Sequence, residues 1–178
     1  MKIIGITGLK QSGKSTVAEF IKQLLPNKVS IYGFADPLKD EICRATGVTR
    51  DYLEKNKKHF RLILQGWGTN YRRELYGQDY WVKKMSVAAD QFEQHGTEIL
   101  VIPDVRFLNE GGFVLLNRGN VMRIVRETGE SDTHQSEVEQ DMIVADYCII
   151  NDGNLAGLKL KTIEALQTLC PYTRLQVA

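Results

Sequence analysis

Cysteine is scarce in this sequence, and the three present, Cys43, Cys148 and Cys170, show no C-x-x-C spacing. An odd number without that spacing argues against a disulfide framework or a structural zinc site, and predicts free thiols in a reducing compartment. No apolar run approaches the ~18 residues of a membrane span, and the short apolar start does not resemble a secretory leader. A soluble, cytoplasmic protein is the expectation. Neither sign of charge is in excess: 23 basic residues against 22 acidic ones leave +1. That balance gives no reason to expect nucleic acid as a partner, and places any strong positive field locally, around a small anionic ligand. Internal repeats, low-complexity stretches and linkers are missing too. What remains, 43% hydrophobic and 25% charged over 178 residues, suffices for the core of one domain.

The feature with chemical content lies near the start. An apolar run from Lys2 to Thr7 leads into Gly8-Leu-Lys10-Gln-Ser12-Gly13-Lys14-Ser15-Thr16, which meets the pattern G-x-x-x-x-G-K-[ST] between a strand and a helix. A glycine-bearing loop aims backbone N–H groups inward, and the helix behind it adds its positive end, making a site for phosphate oxygens. Gly8, Lys10, Ser12, Gly13, Lys14, Ser15 and Thr16 are therefore the predicted triphosphate-binding residues. Lys14 lies against the β- and γ-phosphates in this reading, and the Ser15 hydroxyl ligates Mg²⁺.

Beyond the loop, Val17, Phe20, Ile21, Leu24 and Leu25 recur at helical spacing up to Pro26-Asn27. A second strand, Val29 to Phe34, delivers Asp36, Pro37 and Lys39 at its C-terminal end. Asp36 suits the cap of a helix with Pro37 at its first position. It equally suits a place in the cleft beyond the strand ends, together with Lys39. No strand is expected between Thr46 and His95. The charged run Asp51 to His59 reads as a solvated surface. Phe60 to Arg73 reads as an apolar helix with a glycine-broken turn, followed by paired arginines. Arg72 and Arg73 suit phosphate, which a guanidinium fork grips through two bonds. Trp67, Tyr71, Tyr76, Tyr80 and Trp81 crowd this region; such spacing suits core, with one or two rings able to stack on a base. Asp79 to Gln94 reads as an amphipathic helix closed by Gly96.

Glu98 to Pro103 is a buried-type strand, and Asp104 at its end stands where a Walker-B carboxylate meets Mg²⁺, with Arg106 beside it. A short helix from Asn109 to Asn117 and a strand from Asn120 to Arg126 follow. The polar stretch 126–137 has the composition of a surface loop or of a water-excluding lid. His134 within it suits a surface position as well as a ligand contact. A fifth strand, Asp146 to Ile150, a turn at Asn151-Asp152-Gly153 and a closing helix, Leu155 to Leu169, complete the chain. Five strands alternating with helices predict an α/β fold with a parallel sheet covered on both faces.

Taken together, Gly8 to Thr16, Phe34-Ala-Asp-Pro-Leu-Lys39, Leu64-Gln65-x-x-Gly68-Thr69 with Arg72-Arg73, and Asp104-Val-Arg106-Phe-x-Asn-Glu110 form an ordered set. His134-x-Ser-Glu137 and Asp146-Tyr-x-Ile-x-Asn151-Asp152-Gly153 complete it. In this order the chain resembles the deoxynucleoside monophosphate kinases of tailed bacteriophages, P-loop proteins similar in fold to adenylate and thymidylate kinases. The match is weakest between Gly47 and Phe60. The resemblance implies transfer of the ATP γ-phosphate to a deoxynucleoside monophosphate with Mg²⁺, for nucleotide supply to DNA synthesis, and location in a host cytoplasm. It implies a parallel sheet of order 2-3-1-4-5. The core is expected at 1–45 and 96–178, a helical acceptor-binding region at 46–95, and a short lid at 126–137. It implies Asp36, Lys39, Gln65, Thr69, Arg72, Arg73, Trp81, Asp104 and Arg106 on the acceptor side. Lys14, Arg106 and Arg126 then lie around the transferring phosphate, Ser15 and Asp104 at the metal, and Asp152 and Gly153 near the adenine of ATP. A homodimer stays open, as do the accepted bases. Rival readings are another small-molecule P-loop kinase, such as one acting on dephospho-coenzyme A, and a nucleotide-binding regulatory module.

Overall fold

The computed structural model describes residues 1–127, 135–171 and 175–176, with the side chains of 135–138 excepted. The expected lid and His134 fall largely outside these residues. Strand β1 (Lys2–Thr7) leads to α1 (Lys14–Leu24) and β2 (Val29–Ile31). A helical excursion follows: α2 (Ala35–Thr46), α3 (Arg50–Lys55), α4 (Lys57–Gln65), a π-helix (Gly66–Arg73), α5 (Glu74–Tyr76) and α6 (Tyr80–Gln94). The chain then alternates through β3 (Ile99–Ile102), α7 (Leu108–Leu116), β4 (Asn120–Val125), α8 (Gln135–Met142), β5 (Tyr147–Ile150) and α9 (Leu155–Leu169).

The five strands pair in parallel in the order β2-β3-β1-β4-β5, with Ile4 aligned between Val101 and Asn120, which is the order the resemblance implied. Side chains alternate faces along a strand, and here both faces are dry. Ile4 and Ile6 of β1, Ile99 and Val101 of β3, and Met122 and Ile124 of β4 pack with Val17 and Ile21 of α1 and Leu158 and Leu166 of α9. Ile3, Leu100, Ile102 and Val121 turn the other way, against Trp81, Met85, Phe113 and Val114 of α6 and α7. Burial on both faces is why these strands read as unbroken apolar runs. Gly5 lies on the α7 face because a Cβ there would meet Val114 and Val105 at 2.9 and 3.0 Å.

Two local expectations are corrected. The helix after β2 starts at Ala35, not at Pro37, with Phe34 rather than Asp36 at its cap position. A carboxylate from another strand does the capping: Asp104 accepts from the N–H groups of Phe34 and Ala35 at 2.8 and 2.9 Å. Pro37 falls in the first turn, where no N–H is needed. The glycines at 66 and 68 do not break the chain into a turn either; helical structure runs from Lys57 to Tyr76, widened to a π-helix over Gly66–Arg73. Gly68 is where it presses on α2, since a Cβ there would meet Leu38 at 3.0 Å. Its carbonyl accepts the Trp81 indole N–H at 2.9 Å. π-Helical segments of this kind concentrate at functional sites.

Candidate active site

Beyond β1 the backbone closes into a compact loop held by its glycines. Gly8 has φ +137°, and a Cβ on it would lie 2.2 Å from the Ile124 carbonyl oxygen. Gly13 has φ +108°, and its Cβ would lie 2.8 Å from the Asn151 amide nitrogen, which itself donates to the Ser12 carbonyl at 2.8 Å. Gln11 takes a positive φ of 63° between them. Alternating left-handed positions turn successive N–H groups to one side, the concavity that takes an anion. The Lys14 ammonium reaches back over the loop to the carbonyls of Gly8 and Leu9 at 2.5 and 2.7 Å. Two buried hydroxyls, Thr7 Oγ1 and Ser12 Oγ, have no hydrogen-bond partner among the described residues. Buried polar groups are rarely left so, except where a ligand or ion completes them. Beside the loop a cavity of about 560 Å³ is lined by Gly13, Thr16, Arg126, Asn151, Gly153 and Leu155, among others. Asp152 at its edge is tied to Lys161 of α9 at 2.6 Å, which lowers its carboxyl pKa.

Across the C-terminal ends of β2 and β3 lies a second group of charges. Asp36 accepts from the Gly33 N–H at 2.6 Å, from Arg50 and, at 3.4 Å, from Lys39. Lys39 also meets Glu54 at 2.9 Å. Burial raises the Glu54 carboxyl, but Lys57 and Lys39 outweigh it and hold it at about 2. Gln65 and Thr69 are half-buried on the long helix. Glu41, an acid no sequence motif singled out, is the centre of a further cluster. It accepts from the Tyr80 hydroxyl at 2.5 Å, the Arg72 Nε at 2.7 Å and the Trp67 indole at 3.1 Å. Burial raises its pKa, yet these donors, Tyr80 first, bring it below the ordinary value. Burial, with the same contact, pushes Tyr80 up to about 12. The available signal was an acid at the buried i+3 position from Leu38 on α2. Arg50, which braces Asp36 and Asp40, was missed for lack of any motif.

Two predicted acceptor residues, Arg73 and Trp81, are buried, and a third, Asp104, is anchored by backbone donors. Arg73 points into the core: it is 3% exposed, pairs with the equally buried Glu110 at 2.5 Å, and lies 3.8 Å over the Phe107 ring. In this structure its charge is committed to that pair. Trp81 is also 3% exposed, and its ring belongs to the α6–α7 core, so it offers no face to a base. Of the five rings crowded from Trp67 to Trp81, Tyr71 and Tyr76 are exposed. Asp104 stands at the end of β3 as expected, but both carboxylate oxygens accept backbone N–H groups of the next layer. Gly33 permits this approach, since a Cβ there would meet the carboxylate at 2.5 Å. Arg106 is exposed with no side-chain partner among the described residues, while its N–H donates to Glu110 at 2.8 Å. Arg126 lies at the cavity beside the loop.

A phosphate loop at the end of β1, in a parallel sheet of this order, defines a P-loop kinase. Known proteins then fix the family. The deoxynucleotide monophosphate kinase family model matches residues 45–162, a stretch that excludes the phosphate loop and therefore testifies independently of it. The chain belongs to that family and is an ATP-dependent nucleotide kinase. The deoxynucleotide monophosphate kinase of Enterobacteria phage T4 is 24% identical over 245 aligned residues, covering 95% of this chain and 100% of the relative. Among solved structures, the Mycobacterium tuberculosis APS kinase superposes with a TM-score of 0.51 at 17% identity, over 93% of this chain and 96% of its own. Dephospho-CoA kinase from Campylobacter jejuni gives 0.51 at 14%, over 94% and 97%. At such identities the two structures speak to the fold alone. Among the described residues no helix is long and apolar enough to cross a membrane.

Proposed function

We propose that this chain transfers the γ-phosphoryl group of ATP to a deoxynucleoside 5′-monophosphate, with Gly8 to Thr16 holding the donor and the α2–π-helix face holding the acceptor. The observation that carries this reading is that one chain holds both a phosphate loop and, on the helical excursion after β2, an arginine, Arg72, whose two terminal nitrogens carry no hydrogen bond among the described residues. Gln65 and Thr69 line the same helix, and Asp36 and Lys39 brace α2 against α3. Residues 46–95 then form the acceptor-binding region on a core of 1–45 and 96–178; the expected lid at 126–137 lies largely outside the described residues. The cavity bounded by Gly13, Asn151 and Gly153, directly beside the loop, supports placing the adenine side of ATP there.

Phosphoryl transfer asks for in-line positioning and for positive charge around the transferred group. Lys14, Arg106 and Arg126 supply that charge in this assignment. The acceptor phosphate is already an anionic nucleophile at neutral pH, so no general base is needed. Mg²⁺ travels with ATP and, when bound, neutralises part of the phosphate charge. Ser15 at the start of α1 and the unpartnered hydroxyl of Thr7 nearby fit an oxygen-rich site. Asp104, with its carboxylate already anchored by backbone donors, suits contact through water. Among the described residues no group of three or more His, Cys, Asp or Glu could by itself hold a metal ion.

The test is an ADP-release assay with a panel of deoxy- and ribonucleoside monophosphates. Release stimulated by one or more deoxynucleoside monophosphates is expected. Release that no monophosphate accelerates refutes the assignment.

A further inference from the structure

We propose that Glu41 is a positioning residue for phosphoryl transfer, holding Arg72 as a preformed clamp for the phosphate of the acceptor nucleotide. The inference rests on the reading that Arg72 faces the acceptor, and adds what makes it effective there. Glu41 lies on α2, 8% exposed, and takes three donors from two other elements: Trp67 and Arg72 of the π-helix, and Tyr80 of α6. A carboxylate so occupied has little capacity left for a ligand of its own. Its grip on Arg72 is through Nε alone. The two outer nitrogens, the pair a phosphate binds in parallel, therefore keep their donors.

The rest of the guanidinium is walled by rings. Arg72 Cζ lies 4.9 Å from the Tyr71 centroid, 5.0 Å from Tyr76, 5.2 Å from Tyr80 and 5.7 Å from Trp67. Those rings touch one another in sequence, Trp67 to Tyr71 at 5.4 Å, Tyr71 to Tyr76 and Tyr76 to Tyr80 at 5.9 Å. The aromatic faces favour the cation electrostatically without consuming its hydrogen-bond donors. A long, flexible side chain is thereby fixed before the substrate arrives, which removes an ordering cost from binding. The π-helix contributes directly, since it carries Trp67, Tyr71 and Arg72 together toward α2.

The experiment is steady-state kinetics with the deoxynucleoside monophosphate and ATP varied in turn. Glu41→Gln, Arg72→Ala and their combination are compared, and folding is checked by thermal melts. Glu41→Gln should raise the acceptor KM about 10-fold or more, as losing a charge-assisted hydrogen bond does, and shift the ATP KM by less than about 2-fold, since it leaves the donor loop intact. In the Arg72→Ala background Glu41→Gln should add nothing. Tyr80→Phe keeps the ring and the ion pair but removes one donor from Glu41, and should raise the acceptor KM by roughly 2-fold to 5-fold; this milder change decides the matter if Glu41→Gln does not fold. An unchanged acceptor KM in these variants overturns the proposal. So does an equal rise with and without Arg72, which makes Glu41 a direct ligand, or an equal rise in both KM values, which makes it merely structural. If Arg72→Ala itself leaves the acceptor KM unchanged, the acceptor assignment fails, a result distinct from a neutral Glu41→Gln beside a defective Arg72→Ala.

Discussion

Replacing Arg73 with methionine removes one half of a buried ion pair while keeping most of the side-chain volume. Arg73 and Glu110 are each 3% exposed, with Nη2 donating to Oε1 at 2.5 Å. The change also removes a bond to the Gln78 carbonyl at 3.0 Å and the contact over Phe107. Stranding a buried carboxylate that stays ionised costs about 3–5 kcal/mol, a large part of the stability of a domain this size. The cost depends on pH. Burial pushes the Glu110 carboxyl up from 4.5 to about 7, although Arg73 pulls the other way; without Arg73 it rises further. Its folded pKa lies above the unfolded one, so the folded state binds the proton more tightly. That contribution is fully present below about pH 4.5 and is lost as pH rises through about 7. In Arg73→Met the buried acid can therefore stay neutral at pH 5. There the penalty reduces to the lost hydrogen bonds, about 1–2 kcal/mol, while by pH 8, one unit above the wild-type Glu110 value of about 7, it grows by up to about 1.4 kcal/mol, to about 2–3 kcal/mol. Urea unfolding of both proteins at the two pH values, with unchanged m-values, measures this directly. A penalty that is the same at pH 5 and pH 8, or below about 1 kcal/mol at pH 8, refutes the buried-pair account.

Lys14→Ala should lower kcat by at least ~10²-fold, the usual loss for one preorganised charge donor; near-normal turnover of the purified variant sinks its assignment to the transferred phosphate. Gly8→Ala must relieve a 2.2 Å contact with the Ile124 carbonyl at φ +137°, so unfolding should come about 1–3 kcal/mol earlier, with weaker ATP binding by titration. Glu54, held at about 2 by Lys57 and Lys39 against burial, contributes stability above about pH 4.5 that fades as pH falls toward 2. Glu54→Gln should flatten the stability profile over that acid window, and an unaltered slope in an acid titration of unfolding argues against the network.

Much of the site was legible because the relevant physics is local. The loop from Gly8 to Thr16 needs consecutive residues in fixed backbone states, so its pattern is written consecutively. Strand and helix periods likewise mark β1, β3, α1 and α9 within a residue or two. Asp104 was found at its strand end, yet its partners were not foreseeable, because the donors belong to Phe34 and Ala35 on a neighbouring strand's helix. Arg72 and Arg73 looked equivalent as a pair. Neighbours on a helix point to different sides of it, and here one turns to Glu41 while the other enters the core against Glu110.

By itself, then, the sequence determined the phosphate loop and the alternation of strands and helices, since each rests on the pattern of residues near in the chain, and unbroken apolar runs marked strands buried on both faces. Tertiary structure alone decided which partner each charge meets. Glu41 meets Trp67, Arg72 and Tyr80 across 26 to 39 residues. The direction of a side chain toward a distant partner is set by how α2, the π-helix and α6 pack, not by any spacing along the chain.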